Sequence, residues 1–167
     1  MSPGLYTELF FLDEATALAA GHRPCAECRR ADYNRFKAVW TAENPEHGLT
    51  TNSRIDLVDA QLHNDRLLPS GEQRTFSAPL SGLPDGVFVR LVERGQAHLW
   101  WEQRLYAWTL AGYFERKSSR ADEEAVVLTP RSTVNALQAG YKPVIHHSLQ
   151  SSSMPGRNSL AAPVEED

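Results

Sequence analysis

Val87-Phe88-Val89-Arg90-Leu91-Val92-Glu93-Arg94-Gly95-Gln96-Ala97-His98-Leu99-Trp100-Trp101 decides the fold. Two runs rich in β-branched and aromatic residues flank Glu93-Arg94-Gly95-Gln96, a polar tetrad with a glycine, which is the pattern of a β-hairpin. Leu105 to Thr109 continues it as a third strand, and Ala125-Val126-Val127-Leu128 reads as a fourth. Upstream the grammar is helical. Asp13 is an N-cap for a helix over 14–20 that Gly21 ends. A second helix starts near Cys28 or Arg29 and runs to Ala42, with Tyr33, Phe36 and Trp40 at i, i+3 and i+7 on one face. A third spans Arg54 to Leu62. After the strands, Thr129-Pro130 opens a closing helix that Gly140 stops. The expected class is α+β: a short strand at Leu9–Leu12 and helices around a metal half-site, then a small antiparallel sheet with a closing helix.

The expected organisation is an N-terminal region over 1–68, a sheet-plus-helix unit over 87–147 and a disordered tail over 148–167. The Pro- and Gly-rich stretch Pro69 to Gly86 reads as the linker. Leu12-Asp13, helix, Ala20-Gly21-His22-Arg23-Pro24 is echoed by Leu128-Thr129, helix, Ala139-Gly140-Tyr141-Lys142-Pro143, a pattern that strand, cap, helix and Gly stop produce freely.

The 167 residues are 41% hydrophobic and 23% charged, ordinary for a globular protein. No run of about 18 apolar residues occurs, so no membrane-spanning helix is expected. The first residues lack the basic n-region and the small-residue cleavage site of a signal peptide, and the expected location is cytoplasmic. The net charge of −4 argues against a protein coated with nucleic acid, yet charge is uneven. Between His22 and Lys37, Arg23, Arg29, Arg30, Arg35 and Lys37 face only Glu27 and Asp32.

The chain's two cysteines form Cys25-Ala26-Glu27-Cys28. This spacing admits metal ligation, a redox pair or two ordinary cysteines. Thiolates suit zinc, and structural zinc sites take four ligands. A redox pair wants a strand-to-helix approach, whereas a helix and Arg23-Pro24 precede this one. Pro24 stiffens the entry, and Arg23, Arg29 and Arg30 favour the thiolates.

The segment from Leu9-Phe10-Phe11-Leu12-Asp13 through Ala20-Gly21-His22-Arg23-Pro24-Cys25-Ala26-Glu27-Cys28-Arg29 resembles the zinc-binding domain of the Ada family of DNA-alkylation repair proteins, over about residues 6–30. The resemblance implies zinc ligation at Cys25 and Cys28, which match the family's second cysteine pair. The first pair, which includes the methyl-accepting thiol, has no counterpart, so methyl transfer does not carry over. His22 stands at an aromatic position. The missing pair raises the expectation that Met1 is an internal start and that an upstream segment completes the site.

Other features are weaker. Adjacent His146 and His147 offer at most one ligand, and His47 and His63 are further candidates. The five cations Arg23, Arg29, Arg30, Arg35 and Lys37 suit DNA phosphates as well as a solvated helix face. Trp100, Trp101, Tyr106, Trp108, Tyr113 and Phe114 suit base stacking or, more often, core packing. The expected function is a zinc-stabilised, Ada-like DNA-binding module without catalysis. The alternatives are an enzyme using the aromatic sheet with His146 and His147, and a structural zinc domain for protein contacts.

Overall fold

Strands β2 (Val87–Leu91) and β3 (Ala97–Trp101) pair antiparallel, Val87 opposite Trp100 and Val89 opposite His98. The computed structural model describes residues 10–91, 95–115, 120 and 122–149; the expected turn over Glu93–Gln96 lies partly outside them. Around this pair stand β1 (Phe76–Pro79), β4 (Arg104–Thr109), β5 (Gly112–Glu115) and β6 (Glu124–Val127), giving one six-stranded antiparallel sheet in the order β1-β6-β2-β3-β4-β5. The helices are α1 (Glu14–Ala19), α2 (Arg30–Glu43), α3 (Ile55–Arg66) and α4 (Arg131–Gln138). The class is α+β with a closing helix.

Side chains alternate across a pleated strand, and β2 uses both faces. Val87, Val89 and Leu91 join Trp100, Leu105 and Val127 in one core, under Phe36 and Trp40 of α2, Val58 and Leu62 of α3, and Val134 and Leu137 of α4. Phe88 points the other way and joins Leu99, Tyr106 and Tyr113 in a second core, closed by Ala15 of α1 and by Leu149. The helices of the 1–68 region therefore pack on the sheet itself, α2 and α3 in the first core and Ala15 of α1 in the second. The stretch read as a linker supplies β1 and a 3-10 turn over Leu80–Gly82.

Three further differences have local causes. The apolar run expected as a strand at Leu9–Leu12 is not one over its described residues: Phe11 packs on the His22 ring at 5.1 Å, and Phe10 is exposed. β5 was hidden because Gly112 opens it after a tight turn. Leu149, inside the expected tail, is buried against the second core.

Candidate metal centre

The site begins where α1 stops. Gly21 adopts φ +75°, and the chain closes the helix with His22 N–H to Ala17 O at 2.9 Å and Gly21 N–H to Leu18 O at 3.0 Å. This is the doubled hydrogen bond of a Schellman cap, which favours glycine. The echoed segment ends α4 in the same way, with Tyr141 N–H to Ala136 O and Gly140 N–H to Leu137 O, both 3.0 Å. Arg23 then folds back, donating Nε and Nη2 to the two carboxylate oxygens of Asp59 on α3 at 2.7 and 2.8 Å. Its guanidinium also lies 4.9 Å over the Tyr33 ring. Pro24 is buried, which fixes the direction in which the cysteine turn leaves.

Cys25 to Cys28 forms a tight turn leading into α2, with Arg29 N–H on Cys25 O at 3.1 Å. Glu27 N–H points at Cys25 Sγ, 3.4 Å away. Backbone donors of this kind favour the thiolate. The hydrogen bond that Cys28 shares with Cys25 pushes the Cys28 thiol above its usual range. The two sulfurs therefore stand together, Cys25 half-buried and Cys28 exposed, both unbridged.

Both cysteines line a cavity of about 610 Å³ between α1, the turn and α3. His22, His63, Asp59, Arg66, Phe10 and Phe11 share its wall, and Asp13 and Glu14 reach it from the start of α1. Burial, helped by the charge of Arg66, holds His22 below the usual imidazole range. His22 is thus neutral at neutral pH, the form that ligates metals.

Glu14 is buried, and its carboxylate accepts from the Tyr141 phenol, from Arg29 Nη2 at 2.8 Å and from Val144 N–H at 3.2 Å. Asp13 accepts from Thr16 N–H, the Thr16 hydroxyl, the Tyr113 phenol and His146 N–H at 2.7–3.0 Å. Little in the local sequence beyond the N-cap pattern points to these two carboxylates, because four of their partners, Tyr113, Tyr141, Val144 and His146, lie a hundred or more residues away.

The five expected phosphate-binding cations are mostly engaged within the fold. Arg23 forks onto Asp59, and Arg29 bridges Glu14 and Asp32. Lys37 is buried and donates to Ser53 O. Arg35 reaches Asp32 at 3.4 Å and lies over the Tyr141 ring, but stays partly exposed. Arg30 is exposed and has no hydrogen bond or ion pair within the described residues. Of the other histidines, only His63 lines the cavity. The rings of His146 and His147 lie against each other, centroids 4.1 Å apart and tilted by 42°, with His146 Nδ1 2.9 Å from Ser148 Oγ. His47 stacks on Trp40 and faces Asp65 at 3.4 Å. Trp100, Tyr106 and Tyr113 are core residues and offer no face for stacking bases.

Among the described residues, no three His, Cys, Asp or Glu side chains stand together in an arrangement that would hold a metal ion. Nor is any helix among them long and apolar enough to cross a membrane. Comparison with family models, with curated proteins and with solved structures finds no match for this chain.

Proposed function

We propose that Cys25 and Cys28 ligate zinc, and that the chain is a zinc-stabilised, Ada-like DNA-binding module with no catalysis of its own. The observation that carries this is the turn itself: two adjacent sulfurs, a backbone N–H aimed at Cys25 Sγ, and a cavity in front of them. Soft thiolates on a short turn suit zinc, and deprotonation of both sulfurs accompanies binding.

A structural zinc takes four ligands, and the pair supplies two. His22 and His63 are the nitrogen donors on the same cavity wall. Closing the site takes a movement of one or both towards the sulfurs, or donors from another chain. DNA contact falls to Arg30, exposed next to Cys28 and Arg29, and to the partly exposed Arg35. Phosphate contacts from such residues position a protein without reading sequence.

Elemental analysis of purified protein tests the metal. The expected result is bound zinc that is lost on Cys25→Ser. Less than about a tenth of an equivalent, unchanged by Cys25→Ser, would refute it, because a structural site at neutral pH binds far more tightly than that.

A further inference from the structure

We propose that the cavity beside the cysteine turn binds a small organic oxyanion, a carboxylate or phosphate monoester with an apolar body, whose charge is met by Arg66. The proposal shares the cavity with the zinc site but does not rest on the thiols.

The charges around the cavity almost close among themselves. Asp13 has four donors, Glu14 has three, and Asp59 takes both prongs of Arg23. Arg29 is held by Glu14 and Asp32. Arg66, at the end of α3, is the cation left over. Its Nε is shielded from solvent and has no hydrogen-bond partner, and the guanidinium makes no ion pair within the described residues. An arginine is seldom even partly buried without a carboxylate or phosphate to pair with, and Arg66 is half-buried with none. The two Nη groups are not shielded in this way and have no acceptor among the described residues, so their edge is open to an anion in the cavity.

Arg66 is also held in place. Its stem lies on Gly21, so close that a Cβ at that position would sit 2.6 Å from Arg66 Cδ. The glycine that caps α1 is therefore also the floor on which Arg66 rests. The charge of Arg66 is felt at His22, on the same wall. Beside His22, His63 and the two cysteines, the uncharged lining is apolar: Phe10, Phe11, Leu18 and Pro24. At about 610 Å³ the cavity lies in the range of small-molecule sites. An anionic head on Arg66 and an apolar body against the phenylalanines fit that lining together.

The test is calorimetric titration of the full chain as purified with benzoate, phenyl phosphate, inorganic phosphate and neutral benzyl alcohol. Saturable binding of benzoate or phenyl phosphate at about millimolar or tighter, with benzyl alcohol at least tenfold weaker, is expected for a charge-assisted contact. The stronger of the two anions assigns the head group. Arg66→Gln should weaken the anion by about tenfold or more, and Arg66→Lys should fall between, because it keeps the charge and loses the fork. Zinc content measured on the same sample reads the metal separately, so the two proposals can fail independently. The comparison of benzoate with benzyl alcohol needs no variant and stays decisive if Arg66→Gln fails to fold. Absence of saturable anion binding, equal affinity for benzyl alcohol, or unchanged affinity in a folded Arg66→Gln variant would overturn the proposal. So would displacement of phenyl phosphate by a short oligonucleotide, which would give Arg66 to nucleic-acid phosphates.

Discussion

The Tyr141 phenol donates a hydrogen bond to the buried carboxylate of Glu14, 127 residues earlier in the chain. Glu14 sits in the first turn of α1, and Tyr141 directly follows the glycine that ends α4. The bond therefore ties the two capped helices of the echoed segments to each other. Val144 N–H on the same carboxylate, and Glu14 N–H on Val144 O at 3.1 Å, extend the tie into the segment after α4. The far end of α1 leads into the cysteine turn, so the placement of that turn depends on this junction.

Removing either partner should cost stability unequally. Tyr141→Phe leaves Glu14 with two donors and should cost about 1–2 kcal/mol. Glu14→Ala leaves the phenol and Val144 N–H without their acceptor; since Arg29 keeps Asp32 and is partly exposed, the cost should be about 2–3 kcal/mol. The double variant should be less destabilised than the sum of the singles, because the two share one bond. Urea denaturation of the four proteins checks this, and strict additivity would show that the contact carries no coupling.

Alkaline pH should unfold the protein through its tyrosines. Burial first, with Asp13 beside Tyr113 and Glu14 bonded to Tyr141, raises both phenols well above the usual tyrosine range. In the unfolded chain they ionise near 10. Above about 10 the unfolded state thus binds fewer protons than the folded one. The stability these groups contribute is complete below about 10 and falls as pH rises, by up to about 1.4 kcal/mol per unit for each phenol. Urea midpoints taken across that window should drop steeply for the wild type and more gently for Tyr113→Phe and Tyr141→Phe.

Acid should act on His22 with the opposite slope. Its folded pKa is depressed, by burial first and by Arg66 second. Between that value and about 6.5, the unfolded chain binds the extra proton and the folded one does not. The contribution is therefore present above about 6.5 and lost as pH falls through the folded pKa. Melting temperatures of metal-free wild type and His22→Gln should converge on acidification below about 6.5. Parallel curves would show that His22 does not titrate differently on folding.

DNA binding, if it follows Arg30 and Arg35, should weaken with salt. Arg30→Ala should lower the salt slope by about one unit and weaken all sequences alike, whereas Arg23→Ala should leave the slope unchanged because Arg23 is bound to Asp59. Electrophoretic or fluorescence titrations at several salt concentrations distinguish the two. Affinity indifferent to salt would remove the phosphate contacts from the account.

What could be read from the sequence was what local pattern controls. The β2–β3 pair, the apolar face of α2 and the glycine stop of α1 follow from residues within a few positions of each other. β1 escaped notice because Pro79 and the surrounding Pro and Gly residues look like a loop, and only pairing with β6 makes Phe76–Pro79 a strand. The basic stretch from Arg23 to Lys37 looked free for phosphates because two of its anions, Glu14 and Asp59, lie outside it, 15 and 36 residues from Arg29 and Arg23 respectively. Arg66 carried no signal at all: its isolation depends on which carboxylates the fold assigns to other arginines.

Zinc ligation by Cys25 and Cys28 can be read from the absorption spectrum of the cobalt-loaded chain. Thiolate ligands give a cobalt ion a sulfur-to-metal charge-transfer band that nitrogen and oxygen ligands do not. That band is expected in the wild type, reduced in each of Cys25→Ser and Cys28→Ser, and lost when zinc is added in excess. A cobalt spectrum without the band, or one unaltered by both serine variants, would contradict zinc ligation by the pair.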